Sequence, residues 1–105
     1  MRVRDCTATE KLAVKCTLDG RRVTVRVAAA VRGPLAIHPS TGNDVPPWTV
    51  THIASGYAVL HLAHEAEAEE FVREILALDW DFTDAGAAPQ GTQAAVAFLS
   101  RRFRR

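Results

Sequence analysis

Asp19-Gly20 stands between two runs in which apolar and polar residues alternate, and this commits Lys11 to Ala30 to one local structure. Leu12, Val14, Cys16 and Leu18 alternate with Lys11, Ala13, Lys15 and Thr17. Beyond the dipeptide, Val23, Val25, Val27 and Ala29 alternate with Arg22, Thr24, Arg26 and Ala28. A type I′ turn needs positive φ at both central positions, which Asp-Gly adopts with little strain, so the segment is predicted to be a β-hairpin. A two-residue loop pairs Val14 with Val25 and Cys16 with Val23. Both apolar sets then share one face, and Lys11, Lys15, Arg22 and Arg26 share the other.

The remaining elements are placed around this hairpin. Val3 to Thr7 is a candidate short strand. Arg32 to Pro47 carries Gly33-Pro34, His38-Pro39 and Pro46-Pro47, and is expected to be a long loop in which Leu35-Ala36-Ile37 either adds a short edge strand or pins the loop to the body. Trp48 to Leu62 is predicted as a second hairpin turning at Ser55-Gly56. A two-residue loop there puts Thr49, Thr51, Ile53, Ala58, Leu60 and Leu62 on one face. Trp48, Val50, His52, Tyr57, Val59 and His61 take the other. His64 to Leu78 is a helix by its stripe of Ala68, Phe71, Val72, Ile75 and Leu76, with Glu65 and Glu67 in the first turn, where the dipole favours carboxylates. Trp80 and Phe82 are expected to fold back on the sheet. Residues 83–91 read as a linker, and Thr92 as the cap of a short last helix carrying Val96, Leu99 and Phe103 on one side. The expectation is a single α+β domain over 1–105: an antiparallel sheet of four or five strands built from two hairpins, packed by one amphipathic helix, plus a short C-terminal helix.

One helix cannot cover both faces of such a sheet, so a homodimer is expected. The 105 residues, 48% of them hydrophobic, suffice for a modest core without metal or disulfide. Cys6 and Cys16 lack CxxC spacing and are expected to be free thiols. With a polar start and no long apolar run, they suggest a cytoplasmic protein with no membrane association.

The net charge of +1 conceals strong segregation. Through Leu60, eight Lys/Arg face four acids; from His61 to Gln90, eight acids face Arg73 alone; the last fifteen residues hold four arginines and no acid. A dipolar field of this kind steers partners whatever the total.

Two resemblances follow from these residues. Trp48-Thr-Val-Thr-His-Ile-Ala-Ser-Gly-Tyr-Ala-Val59, with Glu67-Ala-Glu-Glu-Phe71 and Leu78-Asp-Trp-Asp-Phe82, resembles small uncharacterised proteins of bacteriophages and integrated elements. That implies a mobile-element setting and no particular activity. The order of two hairpins and then an acidic helix is similar to the positive cofactor four and Whirly families, which bind single-stranded nucleic acid on a curved antiparallel sheet. This similarity is one of topology, and it implies a nucleic-acid partner, single-stranded in preference.

The candidate site follows the charges. Lys11, Lys15, Arg22 and Arg26 form a cationic strand face suited to phosphates. Trp48 and Tyr57 would add base stacking if they stand beside it. Arg101, Arg102, Arg104 and Arg105 would serve as an auxiliary arm. His38, His52, His61 and His64 lack metal-ligand spacing, although the expected second hairpin makes His52 and His61 diagonal neighbours; no metal or cofactor is expected. No nucleophile elbow, P-loop or dinucleotide motif occurs, and the acids of the helix lie on an exposed face with nothing to raise a pKa. The expected function is a non-enzymatic nucleic-acid-binding accessory protein. The alternative is a small regulator or inhibitor that binds a protein through the acidic helix or the 32–47 loop.

Overall fold

Five strands follow one another as an antiparallel meander in the order β1-β2-β3-β4-β5, and two helices cover part of its surface. The strands are β1 (Thr9–Leu18), β2 (Arg21–Arg32), β3 (Leu35–Pro39), β4 (Trp48–His52) and β5 (Ala58–Leu62); the helices are α1 (Glu65–Ile75) and α2 (Gln90–Phe103). The computed structural model describes residues 9–18, 21–41 and 45–103, with side chains at 13 and 14 and from 21 onward except 22 and 85. The strand predicted at Val3–Thr7, Cys6, the Asp19-Gly20 turn, Arg104 and Arg105 lie outside the described residues.

The β1–β2 register is the expected one: Val14 pairs with Val25, Cys16 with Val23 and Leu18 with Arg21. The expected 32–47 loop needs correction. Gly33-Pro34 closes a two-residue turn in which Gly33 has φ +61, the positive value that a type II′ turn demands at its first central position. The chain then returns at once as β3, the middle strand of the sheet, with Leu35, Ala36, Ile37 and His38 all buried. Its apolar triplet is thus enclosed on both faces.

The second hairpin is also corrected. Trp48 pairs with Leu62, Thr49 with His61, Val50 with Leu60 and Thr51 with Ala58, with a register shift between Val50 and Thr51. The loop is longer than two residues, closed by His52 N–H to the Tyr57 carbonyl at 3.0 Å and Gly56 N–H to the His52 carbonyl at 2.8 Å. A one-residue change of register turns every side chain to the opposite face. Leu60 and Leu62 therefore join Trp48 and Val50, while His61 joins Thr49 and is not a diagonal neighbour of His52.

One sheet face packs against the helices. Leu35, Ile37, Val50, Leu60 and Leu62 meet Ala68, Phe71, Val72 and Ile75 of α1 and the Trp80 ring. Complete burial of a side chain of Phe71's size contributes about 3 kcal/mol. The indole N–H of Trp80 donates at 2.8 Å to the Ile75 carbonyl at the end of α1, which also accepts the Leu78 N–H at 3.0 Å. α2 begins at Gln90, just after Pro89, so Thr92 lies inside it and is not its cap. The Thr92 hydroxyl donates instead to the Asp79 carbonyl at 2.9 Å and pins the helix to the preceding segment. Phe103 meets Phe71 edge-on at 5.5 Å.

The other sheet face is the inside of a curl. β1 and β5 are not hydrogen-bonded neighbours, yet they come within 8 Å between Cα atoms. Val14, Ala29, Ala36, His38, Thr49 and Thr51 are buried on this side, which neither helix covers. Two-stranded ribbons twist strongly, and the coiling of β1–β2 encloses what a flat sheet would expose. Part of the face that neither helix covers is thus enclosed within one chain, while Val23, Val25, Val27 and Val31 on the same side stay half-buried.

Candidate nucleic-acid interface

The ten-pair β1–β2 register sets the geometry of the cationic face. Lys11 stands opposite Ala28, Arg26 opposite Ala13, Lys15 opposite Thr24, and Arg22 opposite Thr17. Each of four successive rows on this face therefore holds one basic residue, alternating between strands. Rows are two residues apart, about 6.8 Å along the ribbon. The described members of the face, Ala13, Thr24, Arg26 and Ala28, are exposed, whereas Val14 and Ala29 opposite are buried and Val23, Val25 and Val27 half-buried. The face is continuous with Ala30 and Arg32 on the side where the helices pack, but the helices rest over β3, β4 and β5.

Two ion pairs occur among the described residues, and Arg26 belongs to neither. Arg32 grips Glu69 of α1 with two nitrogens, Nε to Oε1 at 3.0 Å and Nη2 to Oε2 at 2.6 Å. Arg102 Nη1 lies 3.7 Å from Glu74 Oε2. Arg101 and Arg102 are exposed on the last turn of α2, which lies against α1 and β5, so they belong to the helical side of the molecule. Arg21 is a further exposed cation beside the ribbon turn. Alternation assigns it to the apolar face, which is why sequence reasoning passed over it.

The two aromatic candidates are not placed beside the ribbon. Trp48 opens β4, two strands from β2, and is half-buried against the helix-side core. Tyr57 lies in the β4–β5 loop and borders a groove of about 280 Å3 between that loop and α2, together with Trp80, Phe82 and Val96. In the wall of this groove, His52 donates from Nε2 to the Trp80 carbonyl at 2.8 Å and accepts at Nδ1 from the Ser55 hydroxyl at 2.9 Å. Ser55 is 3% exposed, and its oxygen also receives the Tyr57 N–H at 3.3 Å. These bonds close the loop, and the His52 ring stacks at 4.4 Å on Phe82.

The inside of the curl holds a polar network that no sequence motif announces. A carbonyl only accepts, so His38 donates from Nδ1 to the Pro39 carbonyl at 2.8 Å, and its Nε2 accepts from the Thr51 hydroxyl at 2.7 Å. Ser40 gives its proton to the Pro46 carbonyl at 2.6 Å, Thr49 donates to Ser40 at 2.6 Å, and His61 Nδ1–H donates to Thr49 at 2.8 Å. Burial lowers the pKa of His38 below 6.5, partly offset by its bond to Pro39. Burial lowers that of His61 as well, and the charge of His38 adds to the effect. Both shifts favour the neutral ring. Among the described residues, no three His, Cys, Asp or Glu side chains are placed to hold a metal ion, and no helix is long and apolar enough to cross a membrane.

The chain matches no protein-family model, no curated protein and no solved structure.

Proposed function

We propose that this protein is a non-enzymatic nucleic-acid-binding accessory protein that contacts phosphates with the outer face of its β1–β2 ribbon. The observation that carries the reading is the register, which gives positions 11, 26, 15 and 22 one cation per row on a face whose described members are open to water. Phosphate neutralisation by such a row releases counterions and gives affinity that falls with salt and tolerates sequence. Arg101 and Arg102 supply further attraction at longer range from the helical side, and Arg104 and Arg105 add to the positive charge of the chain. The test is a mobility shift with single- and double-stranded DNA over a salt series. Binding at low salt that weakens steadily as salt rises supports the reading. A protein that shifts neither DNA at low salt, or binds with no response to salt, overturns it.

A second reading, a small regulator of another protein, is favoured by the exposed Glu65, Glu70 and Glu74 of α1, which offer an acidic surface to a basic partner. Charge reversal of Arg22 and Arg26 separates the two readings. It abolishes nucleic-acid binding under the first and leaves partner capture intact under the second.

A further inference from the structure

We infer that the nucleic acid is duplex DNA and that the β1–β2 ribbon enters its major groove; this rests on the reading just given. The first observation is the width of the element. Among the described residues β2 pairs with β3 only through Ala30, Val31 and Arg32, so from Arg21 to Ala29 the hydrogen-bonded ladder under the cationic face is two strands wide, and β1 approaches β5 without pairing to it. Strands lie about 4.8 Å apart, and a two-stranded ribbon fits a major groove about 12 Å wide, which a broad sheet does not.

The second observation is what the face lacks. Its eight positions are Lys11, Ala13, Lys15 and Thr17 on β1, and Arg22, Thr24, Arg26 and Ala28 on β2. None is aromatic. Sequence-tolerant binding of single strands relies on aromatic platforms for the bases, and Trp48 and Tyr57 are placed on other elements. Small Ala and Thr residues between the cations instead suit close approach to base edges, where they contact thymine methyl groups while Arg and Lys reach guanine or phosphate.

The third is the spacing. Four basic positions alternate between the two strands along about 20 Å of ribbon, so each strand, and with it each wall of a groove, has basic positions of its own. The deep, narrow major groove of duplex RNA does not admit this element.

The experiment compares a mixed-sequence DNA duplex, its separated strands and the matching RNA duplex by fluorescence anisotropy, together with dimethyl sulfate footprinting of guanine N7. N7 lies in the major groove. The expected result is binding to the DNA duplex at least about tenfold tighter than to either alternative, a difference of about 1.4 kcal/mol, with N7 protected. Four phosphate contacts give a log–log salt slope of about −3.6, or about 150-fold weaker binding at 200 mM than at 50 mM salt. Equal affinity for single strands or duplex RNA, or unprotected N7 in a saturated complex, overturns the groove assignment while leaving phosphate binding standing. Failure to bind any of the three removes the underlying reading as well.

Discussion

Replacing Thr51 by valine tests the polar interior of the curl. Thr51 is 1% exposed, and its hydroxyl is the donor to His38 Nε2 at 2.7 Å. His38 is itself 2% exposed, and its other nitrogen is committed to Pro39. Valine keeps the branched shape and deletes the proton, leaving the Nε2 lone pair buried and unmet. An orphaned acceptor of this kind costs about 1–3 kcal/mol. The total stability of a domain of this size is about 5–15 kcal/mol, so the loss is a visible share of it. At about 4–8 °C per kcal/mol, Tm falls by about 5–20 °C. Urea unfolding followed by far-ultraviolet circular dichroism measures the change, with an unaltered m-value showing that the native fold is retained. The double variant His38→Leu/Thr51→Val removes the Nε2 lone pair along with its donor and recovers part of the loss; recovery is incomplete because the Pro39 carbonyl also loses the His38 N–H. A Thr51→Val protein as stable as the parent, or a double variant that simply sums two large losses, refutes the network.

Three further outcomes are expected. His38 and His61 have folded-state pKa values below 6.5, so on acidification the unfolded chain takes up protons that the native chain refuses. Their contribution is complete above about pH 7 and is lost as pH falls through 6.5 toward the lowered values, so Tm drops between about pH 7 and 5; a flat or rising Tm there contradicts the assignment. Glu69→Gln breaks the two-pronged contact with Arg32. Both groups are partly exposed, so the loss is about 0.5–1 kcal/mol at low ionic strength and shrinks in high salt; a loss indifferent to salt counts against an electrostatic origin. Gly33→Ala forces a Cβ onto φ +61 and destabilises by about 1–2 kcal/mol, measured by the same urea titration; a neutral result means the turn is not as described.

The parts of the fold that were legible in the sequence are those specified by near neighbours. Asp19-Gly20 lies between two alternating runs, so turn chemistry and pattern agree on one register for β1–β2, and the four basic positions follow from it. The α1 stripe of Ala68, Phe71, Val72 and Ile75 is likewise a local signal. The β4–β5 hairpin was misread because Ser55-Gly56 resembles a tight turn, whereas the loop is longer and a bulge follows. That single slip moved Leu60, Leu62 and His61 to the wrong faces. β3 was hidden by prolines at both ends, which mark turns as readily as they mark the limits of a short strand. The Thr51–His38 and His61–Thr49–Ser40 contacts depend on how three strands pair across the sheet, and no spacing along the chain encodes that. Trp48 and Tyr57 were grouped with the cations on residue type alone. Topology separates them, since β3 intervenes between β2 and β4 and Tyr57 belongs to a loop.

The most direct measurement of the central claim is the salt slope of DNA binding for the parent beside a Lys15→Ala/Arg26→Ala variant. Each phosphate contact removed lowers the slope by about one, so the account predicts a change from about −3.6 to about −1.8, with weaker binding to the mixed-sequence duplex. A variant that keeps the parental slope and affinity would show that the ribbon face does not touch the phosphates.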